Sequence, residues 1–260
     1  MSDQDPANCC FRNWMNLQEE DLSELLQALN LDADHDKSGT NDDQLNQLTL
    51  KAIEHFEDYI KKRAHLGRES ATTFFAPRWC TMLECSMMWI AGCRPSIYIR
   101  LLYALIGEEF ENRIEEYIQG IQTGTLGDIS TVQMNLINNL HIKTIREEDK
   151  MSMKLASLQE DMADDPISII AKKSRTCHNE PPSAEIRKAL DEHEKSMWNV
   201  MRDADELRLN TLKELLSILT PVQGVNFLAA SKKLHLCLHG WTRERELQQH
   251  ASMRPPPSDN

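Results

Sequence analysis

The chain has 260 residues, 40% hydrophobic and 27% charged, with only 9 glycines, so a packed globular core is within its reach. A formal net charge of −12 repels a phosphate backbone, and basic residues gather no further than Lys61-Lys62-Arg63 and Lys172-Lys173, so no direct nucleic-acid binding is expected. The seven cysteines are odd in number and contain no C-x-x-C pair, which argues against a disulfide framework and a zinc-thiolate site and fits a reducing compartment.

No run rich in Val, Ile and Thr alternates with polar residues between turn signals, so the expected fold is all-α. The expectation is a bundle of about seven to eight amphipathic helices. Residues 1–9 read as a flexible N-terminus without a secretory leader. Residues 10–30 form the first helix. Phe11, Trp14, Leu22, Leu25 and Leu29 fall largely on one side, and Glu19, Glu20 and Asp21 on a wetter one. Such a helix can dock on the core or offer itself to a partner groove, and the spacing leaves both open. Residues 32–43 contain part of a calcium-loop pattern at Asp34, Asp36, Ser38, Gly39 and Asp42. Leu45 stands where the bidentate Glu belongs, so a polar turn is expected.

The second helix covers about 42–66, with Leu45, Leu48, Ala52, Phe56, Tyr59 and Arg63 on one face. The most apolar stretch follows, from Phe74 to Gly107. Trp79, Met82, Leu83, Met87 and Ile90 recur at helical steps, and so do Ile97, Leu101, Leu102 and Leu105. This predicts a central helical hairpin joined at Gly92-Cys93-Arg94-Pro95, with Gly92 left-handed and Pro95 in a first helical turn. Arg94 and Arg100 interrupt it well short of the roughly 18 apolar residues of a membrane span, so no membrane partner is expected.

A shorter helix carries Phe110, Ile114, Tyr117, Ile118 and Ile121. Ser130 with Gln133 forms a capping box for a long helix to about Asp164, marked by Val132, Leu136, Leu140, Met151, Leu155 and Leu158. His141 on it is read as structural. Prolines at 166, 181 and 182 suggest a mobile linker over about 166–184. A helix from about Ala184 to Leu219 follows. Thr220-Pro221-Val222-Gln223 then opens the last helix, to about Gln249. One helical domain over 10–250 is expected, with a disordered tail at 251–260.

The last helix has two stripes. Phe227, Leu234, Leu238 and Trp241 are expected to face the core. Lys232, His235, His239 and Arg243 form the other, with the two histidines one turn apart. Three readings stand: a solvated basic stripe, a divalent metal site, or haem with Lys232 and Arg243 beside its propionates. H-x-x-x-H lacks the Glu that would supply a general base. With no G-x-S-x-G, no phosphate-binding glycine loop and no Cys–His pair, a binding protein is favoured over an enzyme.

The chain resembles the plant Delay of Germination family, whose domain also forms the C-terminal part of TGA-type bZIP transcription factors. The marks, over roughly residues 10–245, are Phe11-x-x-Trp14-x-x-x-Gln18, Tyr59 to Ala64, Ala76-Pro77-x-Trp79 and Trp89 to Ser96. Later marks are Leu140 to Lys143, Ser157 to Asp161, Pro221 to Gly224, and Lys232-Lys233-Leu234-His235-Leu236-x-Leu238-His239-x-Trp241. The likeness is strongest to the stand-alone seed-dormancy members. It implies a non-enzymatic regulator, in nucleus and cytoplasm, acting in abscisic acid signalling by binding type 2C protein phosphatases. It implies partner contact through Phe11, Trp14 and Gln18. It also implies haem at His235 and His239, with no other metal. Cys9, Cys10, Arg12 and Asn13 depart from the family pattern just before the Trp, which points to a different phosphatase of that class. The alternative it implies is a transcriptional co-regulator; self-association stays open.

Overall fold

A computed structural model describes residues 5–34, 40–119, 126–173 and 183–252. Its elements are α1 (Pro6–Asp34), α2 (Thr40–Gly67), α3 (Thr72–Phe75), α4 (Met82–Met87), α5 (Ser96–Gln119), α6 (Thr131–Glu160), α7 (Ile167–Lys173), α8 (Ala184–Ile218) and α9 (Pro221–Ser252). The expected all-α multi-helix bundle is what forms. α2 lies against α1, α8 and α9, while α6 packs along α8. The main core joins Leu25 of α1, Leu45 of α2, Ile99 and Leu102 of α5, Ile137 of α6, Leu215 of α8 and Phe227 of α9.

Side-chain caps set the helix starts. Ser130 with Gln133 and Thr220 with Gln223 each form the predicted reciprocal box. The two boxes interlock: Gln133 Nε2 donates to Gln223 Oε1 at 2.8 Å and to the Ile218 carbonyl at 2.9 Å. α1 begins at Pro6, within the stretch expected to be flexible, because Asp5 accepts from the Ala7 amide at 3.1 Å and Ala7 is buried. α7 lies within the expected linker. The partial calcium pattern at 35–39, residues 174–182 and the tail from 253 lie outside the described residues.

The apolar hairpin forms only in its second arm, α5. The first breaks into α3, an irregular stretch through Pro77, and the six-residue α4, which Thr81 starts afresh with a capping box to Glu84. Met82 is 79% exposed, and Leu83 and Met87 are exposed too, so their spacing does not mark a buried face. On α6 the expected Val132 and Leu136 are exposed, and the inward stripe is Ile137, Leu140, Thr144 and Glu148. Glu148 sets that register: its carboxylate accepts from the Ser96 amide at 2.6 Å, from Ser96 Oγ and from Arg94 Nε, capping α5. His141 meets Tyr103 edge-on at 5.5 Å.

Between α4 and α5 the chain makes a tight turn at Trp89–Gly92, closed by amide–carbonyl bonds in both directions. Its left-handed residues are Ile90 (φ 44°) and Ala91 (φ 58°), not Gly92. Left-handed backbone costs an L-residue roughly 1–2 kcal/mol. Arg208 of α8 offsets this by donating to the Trp89, Ile90 and Cys93 carbonyls, and Arg63 of α2 by donating to that of Ala91. Asp205 joins the two arginines. It accepts from Arg208 Nη1 at 2.6 Å and lies 3.2 Å from Arg63 Nε, which points off the hydrogen-bond direction. Gly92 is small for these arginines: a Cβ there would sit 2.9 Å from Arg208 Cζ.

Candidate functional site at the seam of α1 and α9

The predicted partner-binding and cofactor-binding residues meet at one place. Phe11, Trp14 and Gln18 recur at helical spacing on α1, and all three are buried against the chain itself. The Trp14 ring stacks on Tyr59, with centroids 4.5 Å apart and planes 7° apart, and leans on Phe56. Phe11 stacks on Trp79 at 6.0 Å and meets the His239 ring edge-on at 5.5 Å. Of the two placements left open for this helix, the structure holds it docked.

Asp21 is not on a wet face. It is 4% exposed, accepts from Lys232 Nζ at 2.7 Å and bonds His55 Nδ1 at 2.8 Å. Gln18 Oε1 accepts from the same ammonium at 3.3 Å, and that ammonium lies 5.7 Å from the Trp14 ring centroid. Its spacing from Trp14 and Gln18 already puts Asp21 on their stripe. Burial draws the Lys232 pKa down, and the pairing with Asp21 opposes this.

The two stripes of α9 are turned about relative to expectation. Lys232 is buried and His239 nearly so, while Leu234 is 41% and Trp241 62% exposed; Phe227 alone of the apolar stripe is fully inside. Hydrogen-bond partners on α1 and α4 decide the matter, because they make the polar stripe cheap to bury. Lys232 is thereby committed to Asp21 rather than free for a propionate, while Arg243 stays exposed.

Glu84, which the sequence reading passed over, completes the histidine pair. One carboxylate oxygen accepts from the Thr81 amide at 2.7 Å and the other meets His239 Nδ1 at 2.7 Å. The signal for it was the Thr81-x-x-Glu84 box. Burial pushes this carboxyl up, but the bonds from Thr81 and His239 outweigh burial and hold it below the usual range. With Nδ1 engaged, Nε2 is the ring nitrogen left to a ligand, the arrangement in which a carboxylate orients a metal-binding imidazole. Burial, then the neighbouring His239, lower the His235 pKa to about 4, so its ring is neutral at physiological pH. Cys80, packed beside Phe11 and Trp14, is pushed up to about 12 by burial and by Glu84, so it stays a thiol.

The donors therefore suit a ligand that takes a neutral imidazole, as haem iron does. Two rings on one helical face cannot take opposite sides of one iron, so one of them would ligate a haem and the other would support it. Among the described residues, no three His, Cys, Asp or Glu side chains converge as a metal cage, and no helix is long and apolar enough to cross a membrane.

Residues 21–104 match the family described as DOG1: Seed dormancy control. Protein DOG1-like 3 of Arabidopsis thaliana is 36% identical over 252 residues, covering 94% of this chain and 86% of its own length. Protein RESPONSE TO ABA AND SALT 1 of the same plant is 22% identical over 207 residues, 78% of this chain and 81% of its own. Transcription factor TGA2, also from Arabidopsis thaliana, is 24% identical over 217 residues, 84% of this chain and 57% of its own. The chain belongs to the DOG1-like seed-dormancy control family.

Proposed function

We propose that the chain is a non-enzymatic regulator that acts in abscisic acid signalling by binding type 2C protein phosphatases through Phe11, Trp14 and Gln18, and that His235 and His239 hold haem. The observation that carries this reading is the convergence of both residue sets on one seam, with Glu84 orienting His239 and His235 neutral. The likeness to a relative named for its response to ABA and salt supports the signalling context. Haem, when bound, supplies an iron centre and a broad apolar plate; the chain's residues supply an imidazole donor and the carboxylate that orients it. Pull-down with a panel of plant type 2C phosphatases tests the partner. Capture by the wild type that Trp14→Phe weakens is the expected result, with thermal melts showing that the variant folds. No capture across the panel counts against it.

The likeness to TGA2 favours a second reading, a transcriptional co-regulator working in the nucleus as well as the cytoplasm. The chain would then join a promoter complex through protein contacts, because its charge of −12 opposes DNA. Tight, steeply salt-dependent binding of the pure protein to a TGA-type promoter element would overturn that view of its acidity.

A further inference from the structure

α1 is held in two different ways along its length. Its C-terminal half sends Leu22, Leu25, Ala28 and Leu29 into the main core beside Leu45, Leu48 and Ala52. Its N-terminal half lies in a separate cluster, in which Phe11, Trp14 and Met15 pack with Tyr59, Trp79 and Leu236. Where the halves join, the contact turns polar: Asp21 and Gln18 of α1 meet Lys232 of α9 and His55 of α2. Gln18 Nε2 has no hydrogen-bond partner among the described residues.

The physical chemistry of the two halves differs accordingly. Docking the C-terminal half buries apolar surface, which stabilises in proportion to area. Docking the N-terminal half also strips water from an ammonium, a carboxylate and an amide. A buried ion pair returns about what its desolvation costs, and an unmet buried donor is a net loss. The aromatic contacts must offset that loss, so docked and undocked forms of this half lie closer in free energy than those of the other.

We infer that residues 6–21 of α1 are a displaceable arm, docked on the chain's own α2, α9 and the stretch around Trp79, with Ala7 tucked beside Phe74 and Met201, which masks the face that the partner needs. The inference rests on the reading under Proposed function that Phe11, Trp14 and Gln18 meet the partner. In the docked arm those side chains are spent on Tyr59, Trp79 and Lys232. The partner must therefore compete with the cradle. Its apparent dissociation constant is raised by the reciprocal of the undocked fraction. The cradle is also a template for the partner. It offers a flat aromatic surface to Trp14, an aromatic seat to Phe11 and one cation to Asp21. The partner groove accordingly carries an apolar, aromatic floor and a Lys or Arg placed for Asp21.

Hydrogen exchange read by mass spectrometry on the full-length protein tests the arm without any partner. The expected result is that amides of residues 10–20 exchange about tenfold or more faster than those of residues 23–30 of the same helix. Tyr59→Ala, which alters the cradle and not the arm, should widen the gap while α8 stays slow. Equal rates in the two halves, in the wild type and in Tyr59→Ala alike, would overturn the inference. Phosphatase capture then tests the masking. Tyr59→Ala and Lys232→Met should tighten capture severalfold, where Trp14→Phe weakens it. If both cradle variants weaken capture as Trp14→Phe does, the partner reads the assembled seam and the masking is wrong. If no phosphatase is captured by any variant, the functional reading has failed, and the exchange rates alone decide the arm.

Discussion

At the scale of single residues, the two buried arginines show how an unfavourable backbone is kept. Arg208 and Arg63 donate to four carbonyls around the left-handed pair Ile90 and Ala91, and Asp205 holds both arginines. Removing the shared carboxylate in Asp205→Ala leaves two buried cations uncompensated, and a loss of about 3–5 kcal/mol is expected in denaturant melts. Gly92→Ala moves a guanidinium rather than unpairing it, so a smaller loss of about 1–3 kcal/mol is expected. Equal losses in the two variants would count against Asp205 as the common anchor. His235 gives a pH signature. Its folded pKa, about 4, lies below the unfolded value, so between about pH 6.5 and 4 the unfolded chain takes up a proton that the folded chain refuses. Stability therefore falls as pH falls through that window. His235→Gln should remove on the order of 2 kcal/mol of the fall, a share reduced because the ring is only partly enclosed. An unchanged slope between pH 6.5 and 4 in the variant would show that the ring is charged or wet.

At the scale of elements, what was legible depended on how local the determining contact is. The boxes Ser130–Gln133 and Thr220–Gln223 lie within three residues, and both form as read. Their interlock was not legible, since it joins residues 90 apart. Gln133→Ala breaks one box and two bonds to the α8–α9 corner, so a loss of about 1–2 kcal/mol is expected by chemical denaturation. Ser130→Ala, which breaks only the box, should lose less; the reverse order would leave the interlock without weight. The hairpin's first arm misled because Trp79, Met82, Leu83 and Met87 keep a helical period across the Thr81 cap, where irregular backbone gives way to a new helix. α9 misled for another reason. It carries apolar residues on all sides, so composition does not choose its inward face. The choice falls to Asp21, 211 residues away from Lys232 in the chain, and to Glu84.

At the scale of the whole molecule, the family resemblance and the bundle were readable from motifs spread along the chain, but the meeting of the two candidate sites was not. Phe11, Trp14 and Gln18 at one end and His235 and His239 at the other were read as separate features, and the packing of α1 on α9 makes them a single seam. That seam links the two candidate sites: the helix that would meet a partner also packs against His239, one of the two histidines that would hold a cofactor. The most direct measurement is a haemin titration of the full-length protein followed by visible absorption, on the wild type, His235→Ala and His239→Ala. The expected result is a saturable Soret shift in the wild type that is lost or strongly weakened in His235→Ala or His239→Ala. No shift in the wild type, or the same shift in all three proteins, would contradict the assignment of the seam as a cofactor site.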